Sequence, residues 1–256
     1  MNSFEDLIDK IENAKDLSFS AIFDSVIELF KKLWIKGFLA ILIIVVFAFA
    51  LNIVFSLIGL APKNSFFLDS INFDKFLKLY SETMLLSIPQ TILLSTLSMG
   101  VLAAYYRICK YEVLGQNMPD DYFYFFKKEY FSKLLMLGII HTAIAVIAQF
   151  LFLIPYIYVF VPLTYFTIVF ANNPHLSEME IVKVSFKLGH KKWLLTFGTL
   201  VVTGILGGLG ALACFVGVFF TMSIVYLPVF FIYKEVVGFD ETSPIDQIGV
   251  RDDSDY

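Results

Sequence analysis

Formal charge is scarce in this sequence. Only 16% of its 256 residues are Asp, Glu, Lys or Arg, where a soluble domain carries about 25%. The apolar share is 58% and mean hydropathy is +0.77, against roughly 45–50% apolar for soluble domains. A water-soluble enzyme and a disordered chain are both excluded by this balance. Two cysteines, Cys109 and Cys214, make no disulfide framework and have no metal-ligand spacing. Three histidines, at 141, 175 and 190, are too few for a histidine-rich iron or zinc centre. There is no His-Glu-x-x-His, no Gly-x-Ser-x-Gly and no phosphate-cradling Gly-x-x-x-x-Gly-Lys-Ser/Thr. A net charge of −4 gives no reason to expect nucleic acid. The reading is therefore non-enzymatic, with no cofactor and no metal.

What is present is long uncharged sequence. Residues 37–62, 83–106, 134–177 and 193–233 lack Asp, Glu, Lys and Arg altogether. One bilayer crossing takes about 20 residues at 1.5 Å rise. The first two gaps fit one helix each, and the last two fit a hairpin each, turning near Pro155 and near Gly207, Gly208, Gly210 and Gly217. Six spans follow, at roughly 37–60, 83–106, 134–153, 157–171, 193–212 and 216–234. Backbone groups cannot stay unpaired in lipid, so these are expected to be helices. The runs are continuous rather than alternating, which argues against a β-barrel. The fold class is all-α: a polytopic membrane protein with six transmembrane helices over 37–238, preceded by cytoplasmic amphipathic helices over 1–36 and followed by an acidic tail over 239–256. The seven acids of residues 1–28 do not suit a cleaved signal peptide.

With six spans, 16 of the 19 basic residues fall on one side, and Lys63, Lys75 and Lys78 on the other. The positive-inside rule puts both termini in the cytoplasm. Three segments on that side read as interfacial helices. Phe4, Leu7, Ile8, Ile11 and Ala14 form the first apolar stripe. Ile22, Phe23, Val26, Ile27, Phe30 and Trp34 form the second, within about Ser20 to Lys36. The third, 177–192, opens on Ser177-Glu178-Met179-Glu180, a capping-box pattern. It gathers Lys183, Lys187, His190 and Lys191 on one arc, a candidate surface for anionic lipid or an acidic partner.

Other features admit a functional and a packing reading. Seven of the ten residues from Tyr122 to Phe131 are aromatic. They would grip a partner or anchor the chain at the membrane interface. No span interior carries Asp, Glu, Lys or Arg, unlike many proton- and ion-coupled carriers. Polar groups do occur. Gln90 and Ser95 on span two face the direction of His141 and Gln149 on span three. These four either line a polar cavity or join the helices by hydrogen bonds. Gly204-x-x-x-Gly208 offers a small face for close helix contact, and Gly207-x-x-x-Ala211 and Gly210-x-x-x-Cys214 continue the small-residue register, with internal packing the default. Pro89, Pro162 and Pro228 are placed to kink spans two, four and six. Lys110-Tyr111-Glu112-Val113-Leu114-Gly115 and Tyr233-Lys234-Glu235-Val236-Val237-Gly238 read as a repeat or as one helix stop used twice.

Gly100 to Arg107, Leu153-Ile154-Pro155-Tyr156-Ile157-Tyr158, Ala171 to Glu180, Ser185-Phe186-Lys187 and Gly189-His190-Lys191-Lys192-Trp193 follow one another in a characteristic order. Over about 98–238 the chain resembles an uncharacterised bacterial six-helix membrane family, whose fold also forms the membrane domain of some glycerophosphodiester phosphodiesterases. The 171–193 segment carries most of the resemblance. No hydrolase-like segment accompanies it, so it implies no catalytic residues. It implies an inner-membrane protein acting as an accessory or membrane-sensing module. The leading expectation is accordingly a non-catalytic scaffold or accessory protein, with the bilayer and another membrane protein or complex as partners. The alternative is a transporter or lipid-handling protein with a polar cavity between spans two and three.

Overall fold

The computed structural model describes residues 3–60, 73–151, 153–212 and 216–239, side chains of 73–84, 153 and 216 apart. The acidic tail expected from 240 onward, Cys214 and most of the first loop, including Lys63, lie outside the described residues. Everything described is helix or connecting turn, with no strand among the described residues. In chain order the helices are α1 (Phe4–Glu12), α2 (Phe19–Leu57), α3 (Phe73–Val113), α4 (Lys128–Phe150), α5 (Leu153–Asn172), α6 (Glu178–Lys191), α7 (Trp193–Gly208), α8 (Val216–Thr221) and α9 (Leu227–Val237). Six stretches are long and apolar enough to cross a membrane: Phe19–Leu57, Leu85–Val113, Lys128–Phe150, Ile154–Asn172, Trp193–Leu212 and Gly217–Val237.

Several boundaries differ from those expected. The helix over 20–36 is not a separate element, since α2 runs unbroken for 39 residues. Nothing in residues 30–40 breaks a helix, and Gly37 is placed where α2 approaches Ser223 and Tyr105 too closely for a side chain. Its buried stripe is Ile22, Val26, Leu29, Leu33, Gly37 and Ala40, so Leu29 and Leu33 face inward rather than Phe30 and Trp34. Pro155 does not make the α4–α5 turn. It sits in the first turn of α5, where a missing N–H leaves no intrahelical bond unmade. The sixth span is broken: α8 passes through a 3₁₀ stretch, Met222–Tyr226, into α9, whose first turn holds Pro228. The twice-used glycine sequence is a helix stop. Gly115 and Gly238 both have positive φ, at 66° and 80°. After α3 the Gly115 and Gln116 amides return to the Glu112 and Tyr111 carbonyls, as in a Schellman cap.

The core is built around α5. Val161, Tyr165, Phe166, Ile168, Val169 and Phe170 are each at most 1% exposed, although α5 is too uniformly apolar for its sequence to mark an inner face. On one side it meets α3, α4 and α9. On another, α6 folds back antiparallel along it, with Phe186 against Phe166, Gly189 against Pro162 and His190 against Tyr158. The corner between them is tied. Asn173, 1% exposed, donates to the Val169 carbonyl and to the Tyr233 hydroxyl at 3.1 and 2.7 Å. Lys133 donates to the Pro174 and Leu176 carbonyls at 2.6 and 2.7 Å. The Lys133 bonds supply donors to carbonyls in the turn that no helix bond reaches. The aromatic segment after α3 also turns inward. Phe125, 1% exposed, packs on Phe170 and Tyr130, and Tyr122 donates to the Lys36 carbonyl at 2.9 Å. Only Phe123 and Phe131 of its large apolar rings stay exposed.

The internal helix contact expected at Gly204 and Gly208 is not formed there. A Cβ at either position would meet nothing within 4 Å. The close approaches fall one register away, at Gly207 against Val225 and Met222, and at Gly210 against Thr221 and Gly217. Another close approach is between α6 and α5, where a Cβ on Gly189 would lie 2.6 Å from Pro162 Cα, a backbone atom. Gly189→Ala is therefore expected to lower the melting temperature in detergent, since overpacking costs about 1–3 kcal/mol. Gly204→Ala should leave it unchanged or raise it, because the helix gains propensity of up to about 1 kcal/mol. Equal melting of the two variants would show that the α5–α6 approach is not tight.

Candidate functional site

A cavity of about 470 Å³ lies among α3, α4 and α5 and is closed on its far side by α7, the 3₁₀ stretch and α9. The polar wall comes from two helices. Thr91, Ser95 and Ser98 line it from α3, at the three- and four-residue spacing of one helix face. His141, Thr142, Ala145 and Gln149 line it from α4 at the same spacing. α3 and α4 come close because Gly138 leaves room for Thr96, whose Oγ1 a Cβ at 138 would strike. That approach sets Ser95 Oγ 3.1 Å from His141 Nδ1. The imidazole is further held edge-on by Phe166, ring centroids 5.9 Å apart. Beside it Thr142 is 1% exposed, and its Oγ1 has no hydrogen-bond partner.

The facing wall is apolar and aromatic. Tyr156, Phe160, Leu163, Thr164 and Thr167 come from α5, with Leu200 of α7 and Val229 of α9 behind them. None of the residues that line the cavity is Asp, Glu, Lys or Arg. Of the four residues expected to meet here, the structure brings together Ser95, His141 and Gln149. Gln90 is left out: it does not line the cavity, and its buried Oε1 is unpartnered. The reason is angular, since Gln90 precedes Thr91 by one residue and points about 100° away around α3. The α5 wall was missed by sequence reasoning. Tyr156, Phe160, Leu163 and Thr167 do share one helical face, but in a helix apolar all round that face carries no contrast.

The lysine arc of α6 is the second expected site. Ser177 and Glu180 close the capping box: Ser177 N–H donates to Glu180 Oε2 at 2.8 Å, and Glu180 N–H donates to Ser177 Oγ at 3.4 Å. Hydrogen bonds from the Ser177 hydroxyl and amide hold the Glu180 carboxyl below its ordinary pKa. Ile181, Val184, Ser185, Leu188 and Gly189 are buried. Of the lysines, Lys187 pairs with Glu12 at 2.6 Å and Lys191 donates to the Glu12 carbonyl at 3.2 Å. Lys192, 5% exposed, donates to the Lys15 carbonyl at 2.6 Å. Two of the three expected surface lysines are thus turned to the chain's own α1, and Lys183 stays exposed. The carbonyls they meet lie at and just after the C-terminal end of α1, where a helix favours cations. Burial lowers the Lys192 ammonium pKa. Leu7 and Ile11 of α1, both 0% exposed, complete the contact, each side chain worth about 1.5–3 kcal/mol when fully buried.

Among the described residues there is no group of three His, Cys, Asp or Glu able to hold a metal ion. Cys109 is free and buried. Compared with known protein families, curated proteins and solved structures, the chain shows no match.

The attachment of α1 is open to test through pH. The bond and charge of Lys187 hold the Glu12 carboxyl below its ordinary 4.5. A depressed carboxyl contributes its stabilisation above the unfolded pKa and loses it as pH falls through the folded value. Protection of the amides over residues 4–12, taken relative to the intrinsic exchange rate at each pH, should therefore fall on acidification below about pH 4.5. In Glu12→Gln it should be lower at neutral pH and largely free of that acid step. An acid step that persists unchanged in Glu12→Gln would remove Glu12 from the account.

Proposed function

We propose that this chain is a non-catalytic, multi-pass membrane protein that takes an amphipathic small molecule from the bilayer into the α3–α4–α5 cavity. One observation carries the reading: hydrogen-bonding side chains from two helices converge on one wall of a chamber whose other wall is largely aromatic and aliphatic. Pockets of roughly 300–1,000 Å³ with a few placed polar groups in apolar walls are the usual form of ligand sites. The scaffold or accessory reading draws on the absence of charge within the spans and on the interfacial segments, the lysine arc of α6 among them. With Lys187 and Lys191 engaged by Glu12, that arc supports it less than the cavity supports ligand handling. Kinship with the six-helix membrane family is part of this proposal and rests on the 171–193 segment.

The protein belongs, on this reading, to a bacterial inner membrane with both termini cytoplasmic, and α1 and α6 form a polar layer on that side. The support is the distribution of the 19 basic residues together with the positive-inside rule. Single cysteines introduced at Phe66, Met118, His175 and Ile245 test the topology. Only the one at 66 should react with an impermeant thiol reagent from the periplasmic side. Labelling at 175 from that side would reverse or break the arrangement.

Ligand handling is tested by native mass spectrometry of the protein extracted in mild detergent. The expected result is one bound lipid-derived molecule per chain, lost in Ala145→Phe, which fills the chamber from α4. A protein that carries nothing, or a bound species indifferent to Ala145→Phe, would overturn the cavity as the functional site.

A further inference from the structure

The cavity's chemistry narrows what it holds, and this step rests on the ligand-handling reading above. We infer that the occupant is an uncharged, single-chain glycerolipid of the monoacylglycerol type, its glycerol head against the α3–α4 wall and its acyl chain along α5. Three features of the chamber lead there.

The first is the lack of formal charge. None of the lining residues is Asp, Glu, Lys or Arg. A phosphate or carboxylate head brought in here would shed its water with no cation to meet it, a cost that buried unpaired charges do not recover. The occupant's head is therefore neutral.

The second is the spread of the polar groups. Thr91, Ser95 and Ser98 run along α3 for seven residues, about 10 Å at 1.5 Å per residue. His141, Thr142 and Gln149 run along α4 over a similar length. A long-chain alcohol offers one hydroxyl to such a stripe. A monoacylglycerol offers two hydroxyls and an ester carbonyl, able both to donate and to accept. Thr142 supplies the sharpest sign that a partner is required. Its hydroxyl is buried to 1% exposure of the residue and has no protein acceptor or donor, and an orphaned buried hydroxyl is destabilising until something bonds it.

The third is size and shape. About 470 Å³ is the scale of a drug-sized ligand, room for a head and much of one chain but not for a two-chain phospholipid. The apolar wall of Phe160, Leu163, Leu200 and Val229 runs beside the polar one, which suits a molecule lying lengthwise with its head on one side.

The test presents the purified, detergent-solubilised protein with monoolein, oleate at neutral pH or dioleoyl phosphatidylglycerol, and reads occupancy by native mass spectrometry. Monoolein is expected to bind one per chain, in preference to both anionic probes, and to be excluded by Ala145→Phe. Thr142→Val is nearly isosteric and keeps the fold testable should Ala145→Phe fail to fold. Loss of one hydrogen bond should weaken monoolein binding there about threefold to tenfold. If oleate or the phospholipid binds better than monoolein, and is still excluded by Ala145→Phe, the cavity stands as a binding site and this inference falls. Monoolein binding unchanged by Thr142→Val also overturns it. If no probe binds, or binding ignores Ala145→Phe, the ligand-handling reading falls with it.

Discussion

Pro162 and Gly189 touch where α5 and α6 run antiparallel, at a separation that admits no side chain on the glycine. Much of the molecule follows from that contact. It holds α6 along α5 rather than free on the membrane surface, with the Asn173 and Lys133 bonds tying the corner at the other end. α6 in turn offers its lysines to the end of α1, so the N-terminal helix is seated on the bundle by Leu7 and Ile11 and oriented by Glu12. With α6 covering one side of α5, another side is left to face α3 and α4. The cavity lies there.

The same arrangement separates two kinds of polar group. Around α1 and α6 the charges pair with one another or with helix-end carbonyls. Such exposed pairs add little to stability beside the apolar contacts they surround. Inside the bundle the polar groups are mainly hydroxyls, with the His141 imidazole and the amides of Gln90, Gln149 and Asn173. Many close their bonds within a helix: Thr96, Thr199 and Thr203 donate to carbonyls three or four residues back. Tyr165 and Thr196 share a buried bond of 2.6 Å between α5 and α7. Thr142 does neither, and of the five buried side-chain atoms without a partner among the described residues it is the one on a residue that lines the cavity.

The broken sixth span fits this picture. Thr221 donates to the Gly207 carbonyl at 2.6 Å, bonding α7 to α8 just where the helix narrows to the 3₁₀ stretch. Tyr106 donates to the Tyr226 carbonyl at 3.1 Å at the far end of that stretch. Side chains thus bond backbone carbonyls on either side of the irregular stretch, in keeping with an apolar surrounding. Val225 and Tyr226, within the stretch, line the cavity, so the irregular backbone lies against the proposed ligand.

Much of this was legible in the residues. Four uncharged runs, two of them long enough for a hairpin, determine six membrane-length helices, because lipid offers the backbone no other partner. Ser177 and Glu180 determine where α6 starts, since a capping box needs only residues three apart. Ser95, His141 and Gln149 were visible as the few polar groups in apolar spans. Tertiary structure decided the rest. Gly207 and Gly210 make the contacts expected of Gly204 and Gly208, a choice between helix faces that neighbouring glycines in one helix cannot express. Gln90 falls outside the cavity through a rotation of one residue. Lys187 and Lys191 find their partners 175 and 179 residues away, beyond the reach of any local pattern. The α5 wall is fixed by which neighbours surround a helix apolar on every side. Local bonding and solvent preference act on each residue in turn and can be read in order, whereas the face a helix turns inward depends on all the helices that pack around it.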